Sequence, residues 1–520
     1  MRVRFLFVLL SLVLLSTNME ARRIIIRRLE DLEHALTFDG CRLLIKGSID
    51  LKGTTLTLPI YSKLVFKNGS LKNGYLIGTE TSIANTSKNI FHNCMIQGSW
   101  KLDYACSTLF DDDLEAIDLL KNLSCLSSYL RLSSKRSYII FAQGEHIKAE
   151  VIEAEGKEKP SIVFHTINPN VPGIVLIGND VRLRNLIIKD DYDVKNDAKY
   201  GTNNPTIGNT IDVRGLNNIV ETLNIDGCDF RGGTSSSWVA SSHVKNCLVK
   251  NCTFNGFMAD HGVYCSMKTE TFKVENCIIN DVTYVNGLFK VRTSDKFHLF
   301  NIANVTAHNI NGYLATISLL ETRDAEIAFK YITVTRDSGN NSIFYGFCIN
   351  DETKSLRGDY YNARCISFCN CFFGYGYDSN PIIYAGAGNR VCAKEIKYDH
   401  VKSIGSNFGG GNTDKLSISD CQFDECCGEN GIYLCTRRML LEKSTLNSNN
   451  RSNCLFLVNY ENEYMQSLTL QNVDINANTN TIVSIMGGKQ VDLCVKDCKI
   501  TNKTSELFKS LKTCNVVVKD

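Results

Sequence analysis

The sequence predicts an all-β protein: a right-handed, single-stranded parallel β-helix, a solenoid of about twelve or more coils with a short N-terminal capping helix. Two observations lead there. The first is an anchor: a turn residue followed by a thiol or apolar residue on a β-rich strand. It places Cys228 in LNIDGCDF, Cys252 in LVKNCTF and Cys277 in FKVENCII, at steps of 24 and 25 residues. Farther on, Cys421, Thr445, Val473 and Cys498 step by 24, 28 and 25. The second is a further strand about ten residues after each anchor, as in HGVYCSM (261–267), NGLFKVRT (286–293), GYLATISLL (312–320) and NGIYLCTR (430–437). Alternation within these strands sends one face inward, and a single repeat cannot bury that face alone. Against helical repeats stand the lack of 10–15-residue helical patterns and richness in Val, Ile, Phe, Tyr, Asn and Gly. Further anchors are expected near Val305, Ile332 and Val401.

Each segment is justified in order. Residues 1–21 read as a secretory signal: Arg2 and Arg4 precede an apolar run, Phe5–Leu15, too short to span a bilayer. This predicts a secreted, periplasmic or cell-surface protein without a transmembrane segment. Residues 22–110 form a β-rich region or small β-helix of their own, with a short amphipathic helix at 28–37. Residues 111–134 hold a capping helix and linker: in DDDLEAIDLLKNL, Asp112 or Asp113 suits the N-cap, and Leu114, Ile117 and Leu120 recur at helical spacing. Such a helix would cover an otherwise open sheet end. Residues 135–520 are the main β-helix.

The run KGTTLTLPIYSKLVFKNGSLKNGYLIG, then FHNCMIQGSW, DDDLEAIDLLKNL and IIFAQGEHI, resembles the start of exported pectate-lyase-like right-handed parallel β-helix proteins of the Bacteroidetes type. Asp112, Asp113, Ala116 and Ile117 match the superfamily's capping helix, while AQGEH stands where Pro-x-Gly-x-Tyr is usual. The resemblance implies the fold over nearly the whole mature chain. It leaves activity open among lyases, hydrolases, esterases, epimerases, tailspikes, adhesins and silent members.

The candidate site is Asp260 and His261 with Lys290 and Arg292, on successive coils when Gly262 is aligned over Gly287. Phe289 and Val291 suit an inner face, so Lys290 and Arg292 point out. Asp212 and Arg214 come from the preceding strand NTIDVRG, and Trp238, between the two, would stack on a sugar. β-Elimination at a uronic acid needs a base beside the carboxylate and cations to neutralise it. Lys290 suits the base and Arg292 the clamp, with Ca²⁺ as a candidate cofactor held by Asp212, Asp260 and Glu321. Hydrolysis would need a carboxylate pair, for which Asp212 and Asp260 are the candidates. Against both stands the plain alternative that outward cations are solvated surface and Asp-His before Gly is turn chemistry.

A second Gly-Ile-Tyr segment at 429–433, with Arg437 and Arg438, repeats the first and reads as a shared turn. Loops 190–208 and 350–364, with Tyr192, Lys195, Tyr200 and Tyr360, would wall a groove. The net charge of +2, from 57 basic and 55 acidic residues without a basic run, argues against nucleic acid as partner. The 22 cysteines in an exported chain would suggest disulfides. The shared register of five of them instead predicts stacked, buried thiols, with bridges expected only around Cys426–Cys427 and Cys365/Cys369/Cys371. The function expected is a polysaccharide lyase or glycoside hydrolase on an acidic glycan, with a non-catalytic glycan-binding or surface structural protein as the alternative. A monomer is expected, with a trimeric fibre as the rival.

Overall fold

The computed structural model describes residues 22–519, apart from 85–87, 142, 194–207, 259, 284–286, 352–360, 377–379, 385–388, 429–430, 459–464, 486–490, 503–505 and 511–515. The expected signal segment and the parts of the two long loops that hold Lys195, Tyr200 and Tyr360 lie outside the described residues. Among the described residues no helix is long and apolar enough to cross a membrane. The chain divides into two compact units, one running to Tyr138 with Ile147–Pro160 and the other comprising Ile139–His146 and Ser161–Asp520.

In the first unit, parallel strands step along the chain: Arg23 pairs with Arg42, Arg42 with Lys63 and Lys63 with Ser82. Helix α1, Leu29–Ala35, turns Leu32 and Ala35 into the core, and Asp31 accepts from the Arg27 and Arg28 amides at its start. Helix α2 spans Ala116–Leu126 and buries Leu119, Leu120, Leu123 and Leu126. It begins at Glu115 rather than Asp112 or Asp113 because the Arg136 guanidinium binds the Asp111 and Leu114 carbonyls at 2.5 and 2.6 Å, holding that stretch as a turn. From the helix, buried Asn122 donates to the Cys94 carbonyl (3.0 Å) and accepts from the Ile96 amide (2.8 Å). It thus satisfies the strand Phe91–Trp100 as a neighbouring strand would.

Among the described residues the second unit is all-β, built mainly from parallel ladders in which strands pair with strands a period later in sequence, with one antiparallel pairing of Asn350–Asp351 with Asn389–Arg390. The anchors occupy one column. Leu186, Cys228, Cys252, Cys277, Val305, Ile332, Cys371, Val401, Cys421, Ser444, Val473 and Cys498 follow one another in register. Every member from Leu186 to Val473 is at most 4 % exposed. The residue before each has φ between 46° and 66°, from Asn185 through Asn251, Asn276 and Asn304 to Asp497. Asn and Asp visit this left-handed region more readily than other side chains, and their amides add rungs: Asn276 donates to Asn251 at 3.4 Å and Asn304 to Asn276 at 3.2 Å.

Two corrections follow. The anchor between Cys421 and Val473 is Ser444, not Thr445, since Gln422 pairs with Thr445; the Ser444 hydroxyl fills the thiol's place and accepts from the Cys421 amide at 3.1 Å. Cys365, Cys369, Cys371, Cys426 and Cys427, where bridges were expected, are free thiols. Burial pushes the Cys421 thiol up to about 12, so it stays protonated and behaves as a small apolar group.

Candidate functional site

One ladder of the second unit carries the candidate residues. Its strands Ile174–Ile177, Ile211–Arg214, Ser237–Ser241, His261–Thr269, Gly287–Thr293, Ala315–Leu319, Phe347–Asp351 and Ile383–Tyr384 pair in parallel. Val239, Val263, Phe289 and Ala315 form an inward row, none of it measurably exposed. The adjacent outward row reads Asp212, Ala240, Tyr264, Lys290, Thr316, Cys348, Tyr384. Arg292 lies in the next outward row, between Ser266 and Ser318. Lys290 and Arg292 are both half-buried.

The register differs by one residue from the Gly262-over-Gly287 alignment. His261 pairs with Gly287, so Gly262 lies opposite Leu288. A Cβ on Gly262 would come within 2.4 Å of the Leu288 side chain and 2.9 Å of its carbonyl, which is why only glycine fits there. A one-residue slip exchanges faces. Lys290 is therefore beside Tyr264, not Cys265, and Tyr264 enters the site as a residue the sequence reading missed. The signal for it was present, since Tyr264 stands between the inward Val263 and Cys265.

His261 is only 2 % exposed. Its Nδ1 lies 2.9 Å from the Gly287 carbonyl, its Nε2 3.1 Å from Asp260 Oδ1, and its ring centroid 5.2 Å from that of Tyr264. The Asp260 and His261 amides both reach the Ser236 carbonyl, at 3.1 and 3.2 Å, which fixes the turn. Burial pushes the imidazole pKa down to about 4, against the pull of the Asp260 carboxylate and the Gly287 carbonyl. The ring is therefore neutral at pH 7, with its Nδ1–H given to Gly287. The side chain of Asp260 is 15 % exposed, so Asp260, not His261, opens to solvent. This corrects the expectation of a catalytic His261: the ring is buried, with Asp260 and Tyr264 beside it.

Trp238 is a second correction. It is fully buried and packs on Phe230 and Phe254 at 5.6 and 6.0 Å between centroids, so it belongs to the core and cannot stack on a sugar. It is second in the strand Ser237–Ser241, all five residues of which are buried. Asp212 is 9 % exposed and tied to Arg214, with Oδ2 2.8 Å from Nε and 2.7 Å from Nη2. It lies two strands and four residues from Asp260 by register. That is on the order of 16 Å, against about 5–9.5 Å for a glycosidase pair. Asp212 and Asp260 therefore do not form a hydrolytic couple.

Among the described residues, three ligand atoms that come within 4.8 Å of one another belong to exposed Asp399, His400 and Asp420. Asp212, Asp260 and Glu321 do not form such a group, so the Ca²⁺ site expected from them is not assembled. Beneath the ladder's start, buried Asp190 accepts from the Thr210 hydroxyl (2.6 Å), the Thr166 hydroxyl (3.1 Å) and the Tyr192 amide (3.1 Å). Burial nonetheless pushes Asp190 up to about 6. Thr210 in turn donates its amide to the Ser237 carbonyl at 2.9 Å, and Ser237 pairs with His261. Thr210 thus links Asp190 to the strand that pairs with His261–Thr269.

No family model and no curated protein matches the chain. Among solved structures it is similar to Bacteriophage CBA120 tailspike protein 3, at 13 % identity and a TM-score of 0.44, over 79 % of this chain and 62 % of that one. It is also similar to the catalytic domain of a GH87 alpha-1,3-glucanase in complex with nigerose, at 12 % identity and a TM-score of 0.33, over 80 % of this chain and 68 % of that one. A PL6 family alginate lyase is similar at 8 % identity and a TM-score of 0.21, over 96 % and 99 % of the two chains. All three are distant likenesses.

Proposed function

We propose that the chain is an exported right-handed parallel β-helix protein that binds an acidic polysaccharide along the outward rows of the Ile211–Tyr384 ladder and cleaves it by β-elimination. The observation that carries this reading is the meeting of Tyr264 with Lys290 on adjacent strands, Arg292 one row away, and the Asp260–His261 pair against the Tyr264 ring. The Lys290 amine takes the proton from the carbon next to a uronate carboxylate. Arg292 neutralises that carboxylate as charge develops on it. The C–O bond one carbon farther breaks, its electron pair leaves with the oxygen, and a C=C bond forms in its place. The departing oxygen takes the Tyr264 phenolic proton, which the Lys290 proton later replaces through solvent. His261 and Asp260 hold the Tyr264 ring in place. Secretion to the periplasm or cell surface accompanies this reading through residues 1–21.

Glycan binding without turnover is the second reading, favoured by the burial of His261, which removes one ionisable group from contact with any ligand. Incubation with acidic and neutral polysaccharides, followed by mass spectrometry, separates the readings. Unsaturated oligosaccharides, lighter by one water than hydrolysis products, are expected. Hydrated products would overturn elimination, and binding without products would establish the second reading.

A further inference from the structure

We propose that Tyr313, Tyr345 and Tyr384 form an aromatic platform that stacks a sugar ring of the same acidic chain, several units away from Lys290. The proposal rests on the reading above and extends it to a second subsite.

Tyr313 and Tyr384 are stacked, with ring centroids 5.8 Å apart and planes 23° from parallel; Tyr313 and Tyr345 lie 5.4 Å apart at 40°. Aromatic clusters inside a ladder are ordinary packing, as with the buried rings Phe272 and Phe300. This cluster differs because Tyr384 is 39 % exposed and Tyr313 and Tyr345 are only half-buried. An open group of phenols offers an apolar face for the C–H side of a pyranose and hydroxyls for its rim.

Register ties the platform to the cations. Lys290 pairs with Thr316, Thr316 with Cys348 and Cys348 with Tyr384, so Tyr384 stands in Lys290's own outward row. The three strand steps amount to about 14 Å. The two residues between are small and sunken, Thr316 at 4 % and Cys348 at 5 % exposure. The row is therefore low in the middle, with a cation at one end and aromatic rings at the other. A neutral glycan would use the rings and waste the Lys290 and Arg292 charges, and a lone uronic acid could not reach both ends. The occupant that fits is an extended uronate-bearing oligosaccharide.

The test uses the full chain in a Lys290→Ala background, so that turnover does not consume the probe. Titration calorimetry follows the binding of oligogalacturonates and alginate oligomers, each from disaccharide to octasaccharide. Tyr384→Ala should weaken octasaccharide binding roughly five- to ten-fold and leave disaccharide binding unchanged, while Tyr384→Phe should retain it. Unaltered octasaccharide binding by Tyr384→Ala, or equal loss with Tyr384→Phe, overturns the platform and leaves the Lys290 site standing. If the unsubstituted protein binds neither series, the acidic-glycan reading falls and the platform with it.

Discussion

Two strands of this ladder system begin alike and end differently. His261–Thr269 opens with His-Gly-Val-Tyr, and the strand at Ile432–Glu442 follows Gly431 with Ile432 and Tyr433. Val263 and Ile432 are both buried in the core, and Tyr264 and Tyr433 are both half-buried outside it. The shared segment therefore sets a turn and a face, as a structural motif should. What differs is the next strand. Tyr264 has Lys290 beside it, whereas Tyr433 has Leu457. The chemistry of a repeat protein lies in what the following period places alongside, and a motif search along the chain cannot see that neighbour.

Changing those neighbours tests the contrast most strongly. Lys290→Ala should lower the rate of product formation by roughly 10²–10⁴-fold, while Leu457→Ala leaves kcat/KM unchanged; steady-state assays on the two variants would refute the contrast if they fell together. Next comes the core behind the first strand. Trp238→Ala should cost about 3–5 kcal/mol in denaturant unfolding, because a fully buried indole between two phenyl rings leaves a cavity.

The pH dependence supplies a third test, of about 3 kcal/mol in each direction. Asp190, raised to about 6, binds a proton in the folded protein that the unfolded chain has already lost, so its contribution falls as pH rises from about 4 to 6. His261, lowered to about 4, does the reverse: the unfolded chain holds the proton, so stability rises as pH climbs from about 4 to 6.5. The two nearly cancel in the wild type. Asp190→Asn should uncover a rising profile and His261→Gln a falling one, read by urea unfolding across that range. A flat profile in either variant would overturn the shift of the group that remains in it. The smallest effect is expected at Ser444→Ala, about 1 kcal/mol by the same unfolding measurement, from the hydroxyl that accepts from Cys421.

Much of the frame was legible because each anchor combines two needs, a left-handed backbone and a small buried side chain, which few residues meet together. Asn251–Cys252 and Asn276–Cys277 announce themselves in that way. Ser444 did not, because a serine hydroxyl looks polar in sequence while substituting for a thiol in space. The site was legible only as a set of strands. Its register turned on whether Gly262 or His261 sits over Gly287, and that depends on the Leu288 side chain needing the space a glycine leaves. The burial of Trp238 escaped for a related reason: alternation predicts one buried face, whereas all five residues of Ser237–Ser241 are buried. The start of helix α2 depended on Arg136, 22 to 25 residues beyond the carbonyls it holds.

The anchor column has a further consequence for how such a chain can vary. From Cys228 to Cys252 the step is 24 residues; from Ile332 to Cys371 it is 39, and from Leu186 to Cys228 it is 42, yet all remain in register. The surplus leaves the column undisturbed. Length is therefore constrained along the column and free beside it. Surface segments can be lengthened, shortened or exchanged between ladder steps while the framework that carries them stays the same.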